Sequence, residues 1–152
     1  MSEPQDKTVL TAEGRRRLGE RARRLREQTL PALSAAIEDD ESDESLPAEY
    51  QRAARELDEL TRLIETARST DEIPEDPDLV QVGDWVTVTT DDGAIDRYLI
   101  VHPAEAILDM SRVSADSPLA RAVLGLRVGD EVEVRAPGGS YHVRILEVLR
   151  DR

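Results

Sequence analysis

The 152-residue chain has no cysteine and no phenylalanine, a single Trp and three Tyr, and no run of about 18 apolar residues. Without cysteine there is neither a disulfide framework nor a thiolate metal site, which fits a reducing compartment. Without a long apolar run there is no membrane-spanning helix. The polar stretch 1–8 also lacks the apolar segment of a secretion signal, so a soluble cytosolic protein is expected. The shortage of aromatics leaves Leu, Val, Ile and Ala as core material, which suits two-helix packing and a thin sheet. The length, at about 100–200 residues per domain, allows one domain or a small domain with an elongated appendage and excludes a large enzyme core. His102 and His142 have no histidine or cysteine companions at ligand spacing. No Ser/His/Asp arrangement or phosphate-cradling glycine loop is present, so both histidines read as ordinary surface or strand residues.

What is abundant is charge. Twenty basic residues stand against thirty-three acidic ones, a net charge of −13, which would repel a nucleic-acid backbone if spread evenly. It is concentrated instead. Arg15, Arg16, Arg17, Arg21, Arg23, Arg24 and Arg26 share residues 15–26 with Glu20 alone, whereas 38–44 hold Glu38, Asp39, Asp40, Glu41, Asp43 and Glu44 and no base. A strongly dipolar molecule is expected.

From Thr11 to about Asp40 the pattern predicts a helix with Thr11 as N-cap and Leu18, Ala22, Leu25, Leu33 and Ile37 on one side. Pro31 removes a backbone donor and crowds the preceding turn, so a kink is expected near Gln28. Beyond the acidic run, Ser45 or Leu46 caps a second helix with Pro47 in its first turn. Tyr50, Ala53, Leu57, Leu60, Ile64 and Ala67 recur at spacings of 3 and 4, a narrow seam suited to a two-stranded coiled coil. Such seams fold back on each other as a hairpin or pair between two chains. The matching helix lengths favour an antiparallel hairpin, reaching about 45 Å at 1.5 Å per residue.

Pro74 and Pro77 among acids place a domain boundary in this stretch. Beyond it the period becomes two. Val82 to Val88 reads as a strand, Asp92-Gly93 as a turn into a strand over 94–101, and 107–112 as a third strand. Ser117 and Pro118 open a short helix that Gly125 closes. Gly129-Asp130 turns into a strand over 131–135, and Pro137-Gly138-Gly139 links it to a last strand over 141–149. Trp85 and Tyr141 read as core residues.

Ser117-Pro118-Leu119-Ala120-Arg121-Ala122-Val123-Leu124-Gly125, followed by Gly129-Asp130-Glu131-Val132-Glu133-Val134 and Pro137-Gly138-Gly139, resembles the C-terminal signature of the GreA/GreB transcription factors. Leu10-Thr11, Gly14, Pro31, Ala35-Ala36-Ile37 and Ala48-Glu49-Tyr50 extend the resemblance over nearly the whole chain. It implies an α+β protein, an N-terminal antiparallel coiled-coil hairpin joined to a C-terminal FKBP-like β-sheet domain with a short helix. The expected organisation is a flexible N-terminus over 1–8, the hairpin over 9–70 with its acidic tip at 38–46, a linker over 71–80, and a polymerase-docking domain over 81–152.

The resemblance further implies a monomeric partner of bacterial RNA polymerase without a catalytic centre or cofactor of its own. Ser117, Pro118, Leu119 and Arg121 dock at the rim of the secondary channel. The tip acids Glu38, Asp39, Asp40, Glu41, Asp43 and Glu44 reach the active site, with Asp43 and Glu44 sharing the polymerase magnesium ion. Arg52 and Arg55 lie toward the nascent RNA 3′ end. Cleavage factors of the family carry an Asp, a Glu three residues later, then Asn-Ala-Glu-Tyr. Here Asp43 is followed by Leu46 where that Glu is wanted and by Pro47 where the Asn is wanted, with a tip about two residues shorter. Inhibition of RNA synthesis is therefore expected ahead of stimulated transcript cleavage, in which Asp43 would act with Glu44 or Glu41. A dimerising coiled-coil protein outside transcription is a third reading. An FKBP-like shape does not bring prolyl isomerase chemistry, whose aromatic-lined pocket has no counterpart in a chain without Phe.

Overall fold

The periodic apolar positions of the first half become two long helical stretches. The computed structural model describes residues 8–151, so the N-terminus expected to be flexible lies, apart from Thr8, outside the described residues. Helix α1 spans Ala12–Arg24, a π-helical turn Leu25–Thr29, α2 Leu30–Asp39 and α3 Ser45–Thr66. Together they make one unit, Glu13–Ala67; the chain on either side of it forms a second.

Within the helical unit, Leu18, Ala22 and Leu25 are buried on the first stretch and Ala53 and Leu60 on α3, with Leu33, Ile37, Tyr50, Leu57 and Ile64 half-buried along the same seams. Each fully buried Leu contributes about 1.5–3 kcal/mol. The two stretches run antiparallel. Arg15, in the first turns of α1, donates to the carbonyls of Ile64 at 2.6 Å and Ala67 at 2.7 Å, where α3 ends. Arg21 pairs with Glu56 further along, and α2 lies against α3. A cation at a helix C-terminus satisfies carbonyls that have no intrahelical donor and complements the dipole. Where a kink was expected near Gln28, the chain makes the π-turn, in which the Leu30 N–H reaches the Leu25 carbonyl. Pro31 follows at once, so the missing donor falls at a register change.

The second unit contains two sheets. Strand β1 (Val9–Leu10) pairs in parallel with β2 (Arg68–Ser69). A five-stranded sheet has the order β5-β4-β3-β7-β6, with β3 Asp84–Thr90, β4 Ile95–Val101, β5 Arg112–Ser114, β6 Glu131–Ala136 and β7 Gly139–Arg150. All pairings are antiparallel except β4 with β5, and β3 against β7 shifts register between Thr87 and Val88. Helices α4 (Pro103–Ala106) and α5 (Pro118–Val123) complete it. The core lies between α5 and the sheet: Ala120 and Val123 meet Val80, Val86, Val88, Ile100, Val134, Val143 and Ile145. β-branched residues supply most of it, as a pleated surface prefers. Tyr141 packs against this cluster. Trp85 is half-buried, beneath the Arg97 guanidinium at 4.8 Å, and donates to Asp151 at 3.0 Å.

Two local expectations change. The strand expected over 107–112 is instead a turn over 107–111 that follows α4 and leads into β5 at Arg112. His102 Nδ1 accepts from the Ala104 N–H at 3.0 Å and Pro103 opens the helix, while Asp109 accepts from the Ser111 N–H and hydroxyl at 3.0 and 2.6 Å. The stretch expected as a linker has Thr70–Glu72 in a 3-10 turn, Leu79 bridged to Arg127, and Val80 in the core. Thr11 stands at the expected cap position, directly before α1, and its N–H and hydroxyl are given to Glu105.

Candidate functional site at the hairpin tip

The connection between α2 and α3 is five residues, 40–44, shorter than the acidic run because Glu38 and Asp39 still belong to α2. Its sequence is a tandem Asp-Glu-Ser repeat, 40–42 and 43–45, and the geometry repeats with it. Asp40 Oδ1 accepts from the Ser42 N–H at 3.1 Å and hydroxyl at 2.5 Å; Asp43 Oδ1 accepts from the Ser45 N–H at 3.0 Å and hydroxyl at 2.6 Å. Each aspartate gives one oxygen to its serine and keeps the other toward solvent. The hydroxyl bond from Ser45, followed by its N–H, holds the Asp43 carboxyl below its ordinary range. The two turns fix the backbone between the helices, since Asx turns substitute for missing backbone pairing.

All six acids of the run are exposed, and the side chains of Glu38, Asp39, Glu41 and Glu44 have no hydrogen bond or ion pair among the described residues. Leu46, in the first turn of α3, is half-buried. It turns an apolar group, not a carboxylate, to that side of the tip. No group of three or more metal-ligating side chains forms among the described residues, so the tip offers oxygen donors without a closed coordination site.

The arginines on α1 divide. Arg15 caps α3, Arg16 lies between Glu13 and Glu20, and Arg21 holds Glu56. Arg23, Arg24 and Arg26 are exposed, as are Arg52 and Arg55 on α3. The capping role of Arg15 escaped sequence reasoning because its partners are backbone carbonyls, which no residue pattern reveals.

In the sheet unit, Ser117 Oγ accepts from the Ala120 N–H at 3.1 Å and so caps α5, with Pro118 exposed in its first turn. Arg121 is exposed one turn on. Pro118 and Arg121 line a concavity of about 330 Å³ with Asp116 and Glu133, and Arg121 and Asp116 also line a second of about 540 Å³ with His102 and Leu124. Leu119 is half-buried and packs against the core, apart from these openings.

Residues 74–150 match the family described as transcription elongation factor GreA/GreB, C-terminal. The chain belongs to this family. Relatives match along nearly the full length. The transcription elongation factor GreB of Pseudomonas aeruginosa is 35% identical over 149 residues, covering 92% of this chain and 89% of that protein. The transcription elongation factor GreA of Thermotoga neapolitana is 36% identical over 151 residues, 93% of this chain and 97% of the relative. Among solved structures, GreA factor homolog 1 of Thermus thermophilus is 29% identical over 92% of this chain and 97% of its own, with a TM-score of 0.42. The Gre-family match reaches across β3 to β7 and α5, and therefore includes Ser117, Pro118, Leu119 and Arg121. The tip lies outside the matched C-terminal segment and within the span of the full-length relatives. No helix among the described residues is long and apolar enough to cross a membrane.

Proposed function

We propose that this Gre-family chain regulates transcription by binding bacterial RNA polymerase: an FKBP-like sheet domain docks at the rim of the secondary channel, and a coiled-coil hairpin carries the acidic tip to the active site, where it restrains RNA synthesis. One observation carries this reading. Six exposed carboxylates stand at the tip, and two of them, Glu38 and Asp39, occupy the last turn of α2 with no basic residue there. Negative charge at a helix C-terminus opposes the dipole and costs about 0.3–1 kcal/mol per group. Folding gives no reason to collect acids there; a partner does.

The donor chemistry fits magnesium, a hard cation that takes oxygen ligands. Asp43 and Glu44 would contribute carboxylate oxygens to an ion held mainly by the polymerase, and that ion, when bound, supplies Lewis-acid activation at phosphoryl oxygens. Asp43 stays ionised through its bonds from Ser45. Ser117, Pro118 and Arg121 form the docking edge, and the exposed guanidinium groups of Arg52 and Arg55 suit contact with phosphates of the RNA 3′ end.

Leu46 is the reason to place restraint ahead of cleavage, since no carboxylate stands where family cleavage factors carry a second acid. The ordered, ionised Asp43 supports cleavage as the second reading. Incubating backtracked elongation complexes with the protein and magnesium separates them. Slowed nucleotide addition with unshortened RNA is expected, and shortened 3′ ends would overturn restraint. Neutralising Asp39, Asp40, Asp43 and Glu44 together abolishes the effect; an unchanged effect removes the tip from the mechanism. Packing of α3 against the first helical stretch of its own chain supports a monomer in sedimentation, and a dimer weakened by Leu57→Ala would favour the dimerisation reading.

A further inference from the structure

Glu105 is completely buried, yet both hydrogen bonds its carboxylate accepts among the described residues come from one residue 94 positions away. The Thr11 N–H reaches Oε2 at 2.9 Å and the Thr11 hydroxyl reaches Oε1 at 2.5 Å. The cation beside it does not bond to it. Arg112, with its side chain 8% exposed, holds Nε 3.9 Å from Glu105 Oε1, and this Nε is a buried nitrogen without a hydrogen-bond partner among the described residues. Nη1 of the same guanidinium is engaged by Asp109. A buried donor left unpaired is costly, and here an acceptor stands within about 1 Å of bonding range.

The geometry therefore offers one carboxylate two mutually exclusive partners. We propose that Glu105 is a two-position latch on the strand leading into the helical unit: in one position it holds Thr11, and in the other it turns to Arg112 Nε and releases residues 8–11. Holding Thr11 engages two donors and leaves Arg112 Nε without a hydrogen bond among the described residues, whereas turning to Arg112 satisfies Nε and withdraws the carboxylate from Thr11, so the element has two alternative positions. What the latch controls follows from the chain path. Thr11 directly follows β1, whose Val9 and Leu10 are buried, and among the described residues β1 pairs only with the two residues of β2. The Arg68 N–H, at the chain's return from the helical unit, bonds to the Thr8 carbonyl at 3.0 Å. Both covalent connections between the units, at 12–13 and 67–68, are thus flanked by the pair of strands that Thr11 anchors. Letting go of Thr11 loosens β1 and β2 together while β3, β4 and β7 stay paired.

Nuclear magnetic resonance on the full chain tests this, reading amide exchange at residue 11 and Arg68 alongside the Arg112 Nε–H signal. Thr11→Val removes the hydroxyl donor. Exchange at both amides is expected to rise about tenfold or more, while the Arg112 Nε–H shifts downfield and becomes protected, and the Val86 and Val143 amides hold their rates. Thr11→Ser returns all three readings to those of the unsubstituted chain. Unchanged exchange at 11 and 68, or faster exchange without any change at Arg112 Nε–H, overturns the latch. Should Thr11→Val unfold the sheet, relaxation dispersion on the unsubstituted chain decides. One common exchange rate at the Thr11 amide and Arg112 Nε is expected; two unrelated rates, or dispersion at neither, overturn it.

Discussion

Gly83→Ala gives the most sharply worked perturbation. Gly83 holds φ at +96°, and a Cβ there would lie 2.5 Å from Thr70 Cγ2 and 3.2 Å from its Cβ. The backbone has nowhere to retreat, because the Gly83 N–H bonds to Ile100 at 2.8 Å and its carbonyl accepts from Asp151 at 2.9 Å. Thr70 is equally pinned: it is buried, and its carbonyl accepts from Arg150 Nη1 at 2.9 Å, while Arg150 Nε bonds to buried Asp84 at 3.0 Å. A left-handed backbone costs an L-residue about 1–2 kcal/mol. Overpacking a filled site adds about 1–3 kcal/mol. Together these predict a loss of about 2–5 kcal/mol, and at a urea slope of about 2 kcal/mol/M the midpoint falls by roughly 1–2.5 M. Trp85 is the only tryptophan and lies in β3, so its fluorescence follows the sheet unit directly. Thr70→Ser divides the loss. By itself it removes one buried methyl, about 0.8 kcal/mol. Combined with Gly83→Ala it relieves the collision and leaves the backbone cost, so the double-mutant cycle shows a coupling of about 1–3 kcal/mol. A Gly83→Ala midpoint unchanged within error, or a double variant with no coupling, refutes the reasoning.

Leu60→Ala opens a cavity in the seam of α3 and costs about 2–5 kcal/mol, read as an earlier loss of far-ultraviolet helical signal in urea while the Trp85 transition keeps its midpoint. Burial pushes the Glu105 carboxyl above its ordinary 4.5, a shift that the bonds from Thr11 and the charge of Arg112 only partly oppose. Because the folded value is raised, its contribution to stability is complete below the unfolded value and is lost as pH rises through the folded one. Glu105→Gln therefore flattens the fall in the Trp85 urea midpoint across that window, and identical pH slopes would refute this. Burial pushes His102 below 6.5, against a weaker pull from Asp116, and its neutral Nδ1 caps α4. Its stabilising effect is present above 6.5 and lost as pH falls through the lower folded value. A ring-proton titration midpoint at or above 6.5 would contradict this.

The sheet unit was legible where turn chemistry is local. Ser117, Pro118 and Gly125 bound α5 as read, and Gly93, at φ +85°, turns β3 into β4. The error at 107–112 arose because Ile107, Leu108 and Met110 look like strand core, yet Ile107 is 83% and Met110 98% exposed. A His-Pro cap upstream and an Asp-Ser turn downstream override apolar content over so short a span.

By itself the sequence determined the two helical seams, the position and sign of the tip, and the family, because spacing, charge and turn residues act within a few positions of one another. Only the tertiary structure decided which charges are engaged and by what. It assigned Arg15 to the end of α3, Arg150 to Asp84, and Thr11 to Glu105, pairs 49 to 94 residues apart. Pairings at such separations depend on how elements meet, not on any local pattern. It also resolved the acidic run into two serine-held aspartate turns flanked by exposed glutamates, since hydrogen-bond geometry exists only once the helices on either side have fixed where the chain must turn.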